Sequence, residues 1–296
     1  MSKAQAMGLI LLGATFMSFV GLLMRLIEAA DGFQILAYRS ITLAGMVALV
    51  ACLRRRVGPG RFLAGLDRSD LTMGLALAVA FTAYVFAMLN TSVASTLFIL
   101  SISPLCAALL AWVWIGERPS RLTLASMGLA VLGVGLMVRD GADLGRSLGN
   151  LYAFVSASAF ALMLTLARRS GKPDVLGGTF LGGVFCLLIG AACALTLGGG
   201  LAVGARDLAI MLAMGGFTIG IGIALVTWGT GYVPAAEVSL LVLLESVLGP
   251  VWVWLFVSEE MSAAEIAGGA LVLASVAAQA LFGHRRRRVP PLIAGR

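Results

Sequence analysis

Two ionisable side chains lie inside apolar stretches long enough to cross a bilayer, and they are the residues best placed to do chemistry. Glu245 lies at the middle of the apolar run 234–256, and Arg39 lies within an earlier run. Because a charge at the bilayer centre costs about 2.5–3.5 kcal/mol on insertion scales, each needs a partner or a function. Glu245 could exchange a proton or bind an ammonium group. Alternatively, it could pair with Arg39 or cap a bent helix near Gly249-Pro250.

Arg39 also has alternative interpretations. At 1.5 Å per residue it lies about 7 Å inside the nearer end of its apolar run. Its fork-shaped guanidinium could bind the carboxylate of a small molecule. Alternatively, the long side chain could extend to the lipid headgroups, or it could pair with Glu28 or Asp31, which come just before the run.

Aromatic and hydroxyl residues near the middle of apolar runs form a second group of candidates. Aromatic faces and hydroxyls together suit an amphipathic small molecule. With Glu245 and Arg39, the residues that we select as a binding site are Phe81, Tyr84, Ser101, Ser103, Ser158, Trp228 and Ser246. The wider group of candidates also contains Phe16, Ser18, Ser156, Phe160 and Thr218.

The composition excludes a water-soluble protein. Of the 296 residues, 60% are hydrophobic and only 12% are charged, and the mean hydropathy is +1.02. A soluble domain of this size has too little interior to bury so much apolar surface. Soluble enzymes, nucleic-acid-binding modules and disordered scaffolds are therefore excluded, although the net charge is +7.

Several kinds of chemistry lack the residues that they need. The four cysteines lie in apolar runs without a CxxC motif, and the single histidine, His284, lies in a basic tail, so we expect no disulfide framework, metal site or other cofactor. No run contains paired carboxylates or a Ser–His pair, so an enzyme is not expected. Neither Lys3 nor Lys172 completes a phosphate-binding loop, so we expect no ATP site of that kind.

The apolar runs predict an all-α integral membrane protein. A membrane-spanning helix needs about 20 apolar residues, and these runs are continuous rather than alternating as in barrel strands. The first run is longer than the apolar part of a signal peptide, and no clear cleavage site follows it, so we interpret it as a span. The ten predicted spans are 4–27, 34–53, 70–90, 93–115, 121–138, 149–168, 174–197, 207–228, 234–256 and 262–283.

Basic residues at the ends of the spans predict the orientation. Sixteen lysines and arginines lie on the side of the N-terminus, and three lie on the opposite side. Because basic loops stay in the cytoplasm, both termini are expected there. On the same basis, Glu237 should lie at the cytoplasmic interface, and Glu117 and Glu259 should lie at helix ends on opposite faces.

An internal repeat divides the chain into two halves of five spans. A shift of 142 positions superposes spans 3 to 5 on spans 8 to 10, and five is an odd number, so the second half must insert in the inverted orientation. The predicted units are residues 1–145, residues 146–284 and a basic cytoplasmic tail, 285–296. The alternative is a duplicated bundle with only a structural role. The polar and aromatic matches are Trp112 with Trp254, Glu117 with Glu259 and Ser120 with Ser262.

Local motifs resemble the EamA-type repeat of the drug/metabolite transporter superfamily. In the first half they are Tyr38-Arg39, Ser103-Pro104-Leu105, Trp112 to Trp114 and Gly116-Glu117-Arg118. In the second half they are Glu245-Ser246, Gly249-Pro250, Trp252 to Trp254 and Ser258-Glu259. Ser246 and Ser258 depart from this pattern, which favours Pro and Gly at those positions.

The resemblance implies a secondary transporter in the inner, cytoplasmic membrane of a bacterium. It would move small amphipathic metabolites, including aromatic amino acids, by alternating access and in the export direction. The alternatives are an exporter of cationic drugs or other metabolites, and a lipid flippase. The expected partners are a small-molecule substrate and the lipid bilayer, without nucleic acid, and a monomer is compatible with the sequence.

Overall fold

The computed structural model describes residues 2–116, 119–140, 144–172, 174–230, 232–233 and 235–282. Within these ranges every regular element is helical, as expected where no water can satisfy the backbone. The first half contains α1 (Lys3–Arg25), α2 (Gly32–Arg55), α3 (Pro59–Ala64), α4 (Arg68–Asn90), α5 (Val93–Leu100), α6 (Ser103–Ile115) and α7 (Arg121–Asp140). The second half contains α8 (Leu144–Ser170), α9 (Leu176–Thr196), α10 (Ala205–Ala213), a π-helix (Met214–Gly220), α11 (Ile221–Thr230), α12 (Ala235–Val257) and α13 (Ala263–Phe282).

Each predicted span coincides with helical structure. Seven helical segments in the described part of the chain are long and apolar enough to cross a membrane. Three further apolar helices are shorter, at Arg121–Leu136, Leu241–Val257 and Ala263–Ala278, so the count of ten crossings stays a prediction. Glu117-Arg118, His284 and the basic tail 285–296 lie outside the described residues.

The fourth predicted span, 93–115, is confirmed as an apolar helical segment long enough to cross a membrane, but it consists of two helices rather than one. The chain turns at Ser101 and Ile102, between α5 and α6. Pro104 lies in the first turn of α6 and has no N–H to donate, so it favours a helix start there. The hydroxyl of Ser101 donates to the Leu97 carbonyl at 2.8 Å, which satisfies an oxygen at the end of α5.

Helices α1 and α12 run parallel along their whole length. The Lys3 ammonium pairs with Glu237 at 2.8 Å at one end, and the Arg25 guanidinium pairs with Glu259 at 2.5 Å at the other. Both pairs are separated by the same number of residues, 234. We call these two ends of the molecule the Lys3 end and the Arg25 end.

Helix α5 starts at the Arg25 end and runs in the opposite direction to α12. The backbone N–H of Val93, the first residue of α5, donates to Glu259 at 2.8 Å. The segment α5–α6 is the fourth apolar segment of the first half, and α12 is the fourth of the second half. Equivalent segments that run in opposite directions are what an inverted repeat requires.

The two halves interlock, and the core lies between them. Helix α4 packs on α8 and α9, α2 packs on α9 and the π-helix, α7 packs on α13, and α1 packs on α11 and α12. Glycines allow the closest approach: a Cβ at Gly178 would lie 2.7 Å from the Cβ of Met73, and one at Gly182 would lie 2.8 Å from that of Leu77. Small residues at this spacing bring helix backbones together in a membrane.

Candidate functional site

A cavity of about 320 Å³ lies between the two halves. Its volume falls in the range of small-molecule sites. On α12 it reaches from Val238, near the Lys3 end, to Ser246, and it does not extend to the Arg25 end of that helix. Most lining residues are apolar, and the polar ones are Arg39, Tyr84, Ser101, Ser103, Ser156, Glu245 and Ser246.

Arg39 is fully buried, with 1% of its surface exposed. Its Nη2 donates to the Phe81 carbonyl at 3.0 Å, and its guanidinium carbon lies 5.7 Å from the ring centroid of Phe81 and 5.8 Å from that of Tyr84. Its Nε and Nη1 have no hydrogen-bond partner in the described part of the chain. The cation is therefore held mainly by two aromatic rings and one carbonyl.

The structure excludes the alternative partners of Arg39. Glu28 pairs with Arg206, and Asp31 caps the start of α2 by accepting from the N–H groups of Phe33 and Gln34. Because Arg39 is buried, it also does not extend to the lipid headgroups. These alternative interpretations were wrong. The remaining interpretation is that Arg39 serves a binding site, and Arg39 does lie beside the cavity.

Glu245 lines the cavity from α12 and is half-buried. Among the described residues no ion pair or hydrogen bond involves its carboxylate, so the expected alternative pair with Arg39 does not form. Helix α12 continues through Gly249-Pro250 to Val257, which leaves no helix end for Glu245 to cap. Its carboxylate therefore faces a largely apolar cavity without a neutralising partner.

Hydroxyl groups connect the halves around the cavity. The Ser101 and Ser246 hydroxyls lie 2.8 Å apart and join the break between α5 and α6 to α12. Ser246 stands where the EamA-type pattern favours Pro, and its hydroxyl makes a contact that Pro could not make. Ser156 of α8 donates to the Ala80 carbonyl of α4 at 2.8 Å.

The π-helix fixes the backbone at Arg39. A Cβ at Gly215 would lie 1.8 Å from the Arg39 carbonyl oxygen, so only glycine fits there. The Thr42 hydroxyl donates to the Leu212 carbonyl at 2.8 Å and ties α2 to the turn before the π-helix. Single-turn π segments occur frequently at functional sites. Sequence reasoning missed this element, because a π-helix has no reliable sequence signature.

Seven of the nine residues selected from the sequence line the cavity: Arg39, Phe81, Tyr84, Ser101, Ser103, Glu245 and Ser246. Ser158 and Trp228 do not. Ser158 is half-buried on α8, and Trp228 is 45% exposed on the outside of α11. Ser156 and Phe160, from the wider group, line the cavity instead. They are four residues apart and share a helix face, whereas Ser158 lies about 200° around the helix from Ser156.

Sequence comparison identifies the family. The EamA-like transporter family matches residues 4–139 and again residues 147–279. The two matches cover both halves and meet near the boundary between α7 and α8. The chain belongs to the EamA-like transporter family. Members of this family are transporters, and this EamA-like protein is a multi-pass membrane protein with a two-repeat architecture.

The fold has structural counterparts. One solved structure, described only as a crystal structure of a protein, superposes with a TM-score of 0.67 and 19% sequence identity. The alignment covers 97% of this chain and 100% of the other. At this identity the similarity supports the fold alone. No curated protein sequence matches this EamA-like protein significantly.

In this EamA-like transporter a polar network joins several helices at the Arg25 end. The Arg25 guanidinium donates to the carbonyls of Met88 and Thr91 as well as to Glu259. Thus one arginine joins α1, the turn after α4 and the end of α12. A second carboxylate, Glu265 of α13, accepts from the hydroxyls of Ser92 and Ser95 and from Arg146 at 3.2 Å. In the described ranges no cluster of residues could hold a metal ion.

Proposed function

We propose that this protein is a secondary transporter that moves small amphipathic metabolites, including aromatic amino acids, across the cytoplasmic membrane of a bacterium. It works by alternating access, in the export direction, with both termini in the cytoplasm. The family assignment supports transport. The substrate class and the direction of transport are what we propose beyond the family assignment.

The observation that carries the proposal is the cavity between the two repeats. Its walls are mostly apolar, as an aromatic or aliphatic side chain requires, and a few polar groups face it. The cavity extends toward the Lys3 end, while at the Arg25 end Arg25 and Glu259 bind α1 and α12 to the turn after α4 and the start of α5. We infer that this conformation is open toward the cytoplasm, which is where an exporter loads its substrate.

A transporter of organic cations is the second candidate. The unpaired carboxylate of Glu245 favours it, because an ammonium group would neutralise the charge. The buried cation of Arg39 beside the same cavity disfavours it, because two positive charges repel each other at low dielectric. A molecule that carries both charges is compatible with both residues.

Counterflow in proteoliposomes tests the proposed function. Vesicles that contain the purified protein and unlabelled phenylalanine should accumulate labelled phenylalanine transiently, and vesicles without protein should not. The assay is repeated with the other amino acids, organic cations and labelled lipid. Lack of exchange for every amino acid would contradict the proposal. Exchange of cations alone would favour the second candidate.

A further inference from the structure

Four arginines around the short helix α3 carry charges that the described part of the chain does not neutralise. They are Arg54, Arg56, Arg61 and Arg68, and all four are exposed. None of their side chains has an ion pair or a hydrogen-bond acceptor among the described residues. Asp67, the acidic residue within this stretch, pairs with Lys172 at 2.8 Å instead. We call residues 54–68 the basic segment.

The basic segment lies at the Lys3 end of the molecule. Helix α4 begins in this segment, and the carbonyl of Met88 near its other end binds Arg25. At the Arg25 end, by contrast, three arginines each pair with a carboxylate: Arg25, Arg146 and Arg206. The charge of the basic segment is therefore available to an anionic partner outside the chain.

Phe62 anchors the basic segment to the helices. Only 2% of its surface is exposed, and its ring lies edge-on to that of Phe180 of α9, with 5.4 Å between the centroids. The guanidinium carbon of Arg55 lies 5.6 Å from the centre of the Phe62 ring, and α3 packs on α2. The backbone that carries the four arginines is thus held in place against α2 and α9.

Arg56 has a backbone conformation that is unusual for arginine. It ends α2 in the left-handed region, with φ 52° and ψ 43°. Glycine is the usual residue at such a helix end, because a Cβ is strained in this conformation. The general preference of basic residues for one side of a membrane does not require an arginine here. We therefore infer that the side chain of Arg56 has a role that glycine could not fulfil.

Exposed leucines adjoin the arginines in the chain. Leu49 and Leu53 lie one turn apart on α2 and are 52% and 61% exposed, and Leu63 of α3 is 52% exposed. A nucleic acid or an acidic soluble protein would supply negative charge, but it would not cover leucines at the end of an apolar helix. A phospholipid supplies both a phosphate and acyl chains, and clusters of basic residues next to a membrane span are typical of sites for anionic lipids.

We propose that the basic segment is a binding site for phospholipids with an anionic headgroup, in the membrane leaflet at the Lys3 end. The guanidinium groups bind the phosphate, which arginine suits because it can donate two parallel hydrogen bonds. The acyl chains cover Leu49 and Leu53. This site does not include any residue that lines the cavity between the halves, and it does not depend on the transported substrate.

Lipid titration of the purified protein in detergent tests the site, with mass spectrometry of the intact complex as the readout. Phosphatidylglycerol is compared with phosphatidylcholine that has the same acyl chains, and its displacement by glycerol 3-phosphate is measured. Since a hydrogen bond to a charged group changes affinity about tenfold or more, phosphatidylglycerol should bind on the order of 10-fold more tightly than phosphatidylcholine. Glycerol 3-phosphate at equal concentration should not displace it, because it lacks acyl chains.

Variants of the basic segment assign the site. The combination of Arg54→Gln, Arg56→Gln, Arg61→Gln and Arg68→Gln should abolish the preference for phosphatidylglycerol. Lysine at the same four positions keeps the charge and should keep most of the preference. The matched control combines Arg121→Gln and Arg168→Gln, since both arginines are exposed at the same end but lie on α7 and α8.

Arg56→Gly separates binding from folding. Glycine relieves the strain at the end of α2, so the melting temperature should stay unchanged or rise, while phosphatidylglycerol binding should weaken several-fold. A lower melting temperature with unchanged lipid affinity would show that Arg56 serves the fold and would contradict its role in the site.

Three outcomes would overturn the proposal. Equal affinity for the two lipids would show that no anionic lipid is selected. An equal loss in the control and in the combined glutamine variant would show a general effect of surface charge and not a site in the basic segment. Displacement by glycerol 3-phosphate would show that the segment binds free phosphate groups and not a lipid.

Discussion

At the scale of single residues, Arg39 is the most unusual feature of this protein. A buried cation without a carboxylate partner costs free energy, and the Phe81 carbonyl and two aromatic rings offset only part of that cost. Replacing buried charges by apolar groups of similar volume is often neutral or stabilising. Because folding does not need a charge at this position, we infer that Arg39 serves the function of the protein.

Arg39→Met tests this interpretation. We expect the thermal melting temperature of the purified protein to stay unchanged or to rise, because an unsatisfied buried charge is removed. Phenylalanine binding should weaken about 10-fold, because the positive charge beside the cavity is lost. Both quantities are measured on the same preparation. A lower melting temperature together with unchanged affinity would show that Arg39 serves the fold and not the site.

At the scale of elements, a polar network joins α1 and α12 to the turn after α4 and the start of α5 at the Arg25 end. Arg25 and Glu259 form an ion pair in which each side chain is 22% exposed, and the same groups bind the turn after α4 and the start of α5. Opening this end requires α4 and α5 to separate from α1 and α12, so these contacts must break, whereas the Lys3–Glu237 pair at the other end joins only α1 and α12. In the proposed mechanism, the ion pair thus stabilises the conformation that is open at the Lys3 end.

Glu259→Gln should shift the protein toward opening at the Arg25 end. Loss of about 1.4 kcal/mol changes the ratio of the two conformations tenfold. The readout is the rate at which an impermeant thiol reagent, added outside intact cells, labels Ser246→Cys in a background without the native cysteines. We expect labelling about 10-fold faster than with Glu259 present. The control is Glu260→Gln, the exposed neighbour, and equal rates in both variants would contradict the gating role.

At the scale of the whole molecule, the repeat determines the topology. Helices α5 and α12 start at opposite ends, although they hold equivalent places in the two halves. An odd number of crossings in each half explains why these two helices run in opposite directions. Two halves with the same odd number of crossings give an even number of crossings for the whole chain. In the proposed mechanism, two similar halves that rock about a shared cavity would provide the two states of alternating access.

The termini should therefore lie on the same side of the membrane, in the cytoplasm. Fusions of a fluorescent protein that matures only in the cytoplasm should be bright at either end of the chain. Fusions of a phosphatase that is active only outside the cytoplasm should be inactive at both ends. Termini in different compartments would contradict ten crossings and the inverted repeat together.

The sequence alone determined the class of the protein, the helical segments and the two charged residues beside the cavity. A mean hydropathy of +1.02 leaves no alternative to a membrane, and apolar runs of about 20 residues in lipid must be helical. Charges in such runs are costly, so Arg39 and Glu245 stand out without any structural information.

Only the tertiary structure decided which faces of the helices point inward. In a soluble helix polar residues mark the outside, but in lipid both faces are apolar, so periodicity does not distinguish Ser156 in the cavity wall from Ser158 outside it. The same limit applies to Trp228, which lies on the exposed outside of α11. The π-helix beside Arg39 also comes from packing between the halves, because local propensity in such an apolar run favours a continuous α-helix. The break at Ser101 differs, because Pro104 marks it in the sequence.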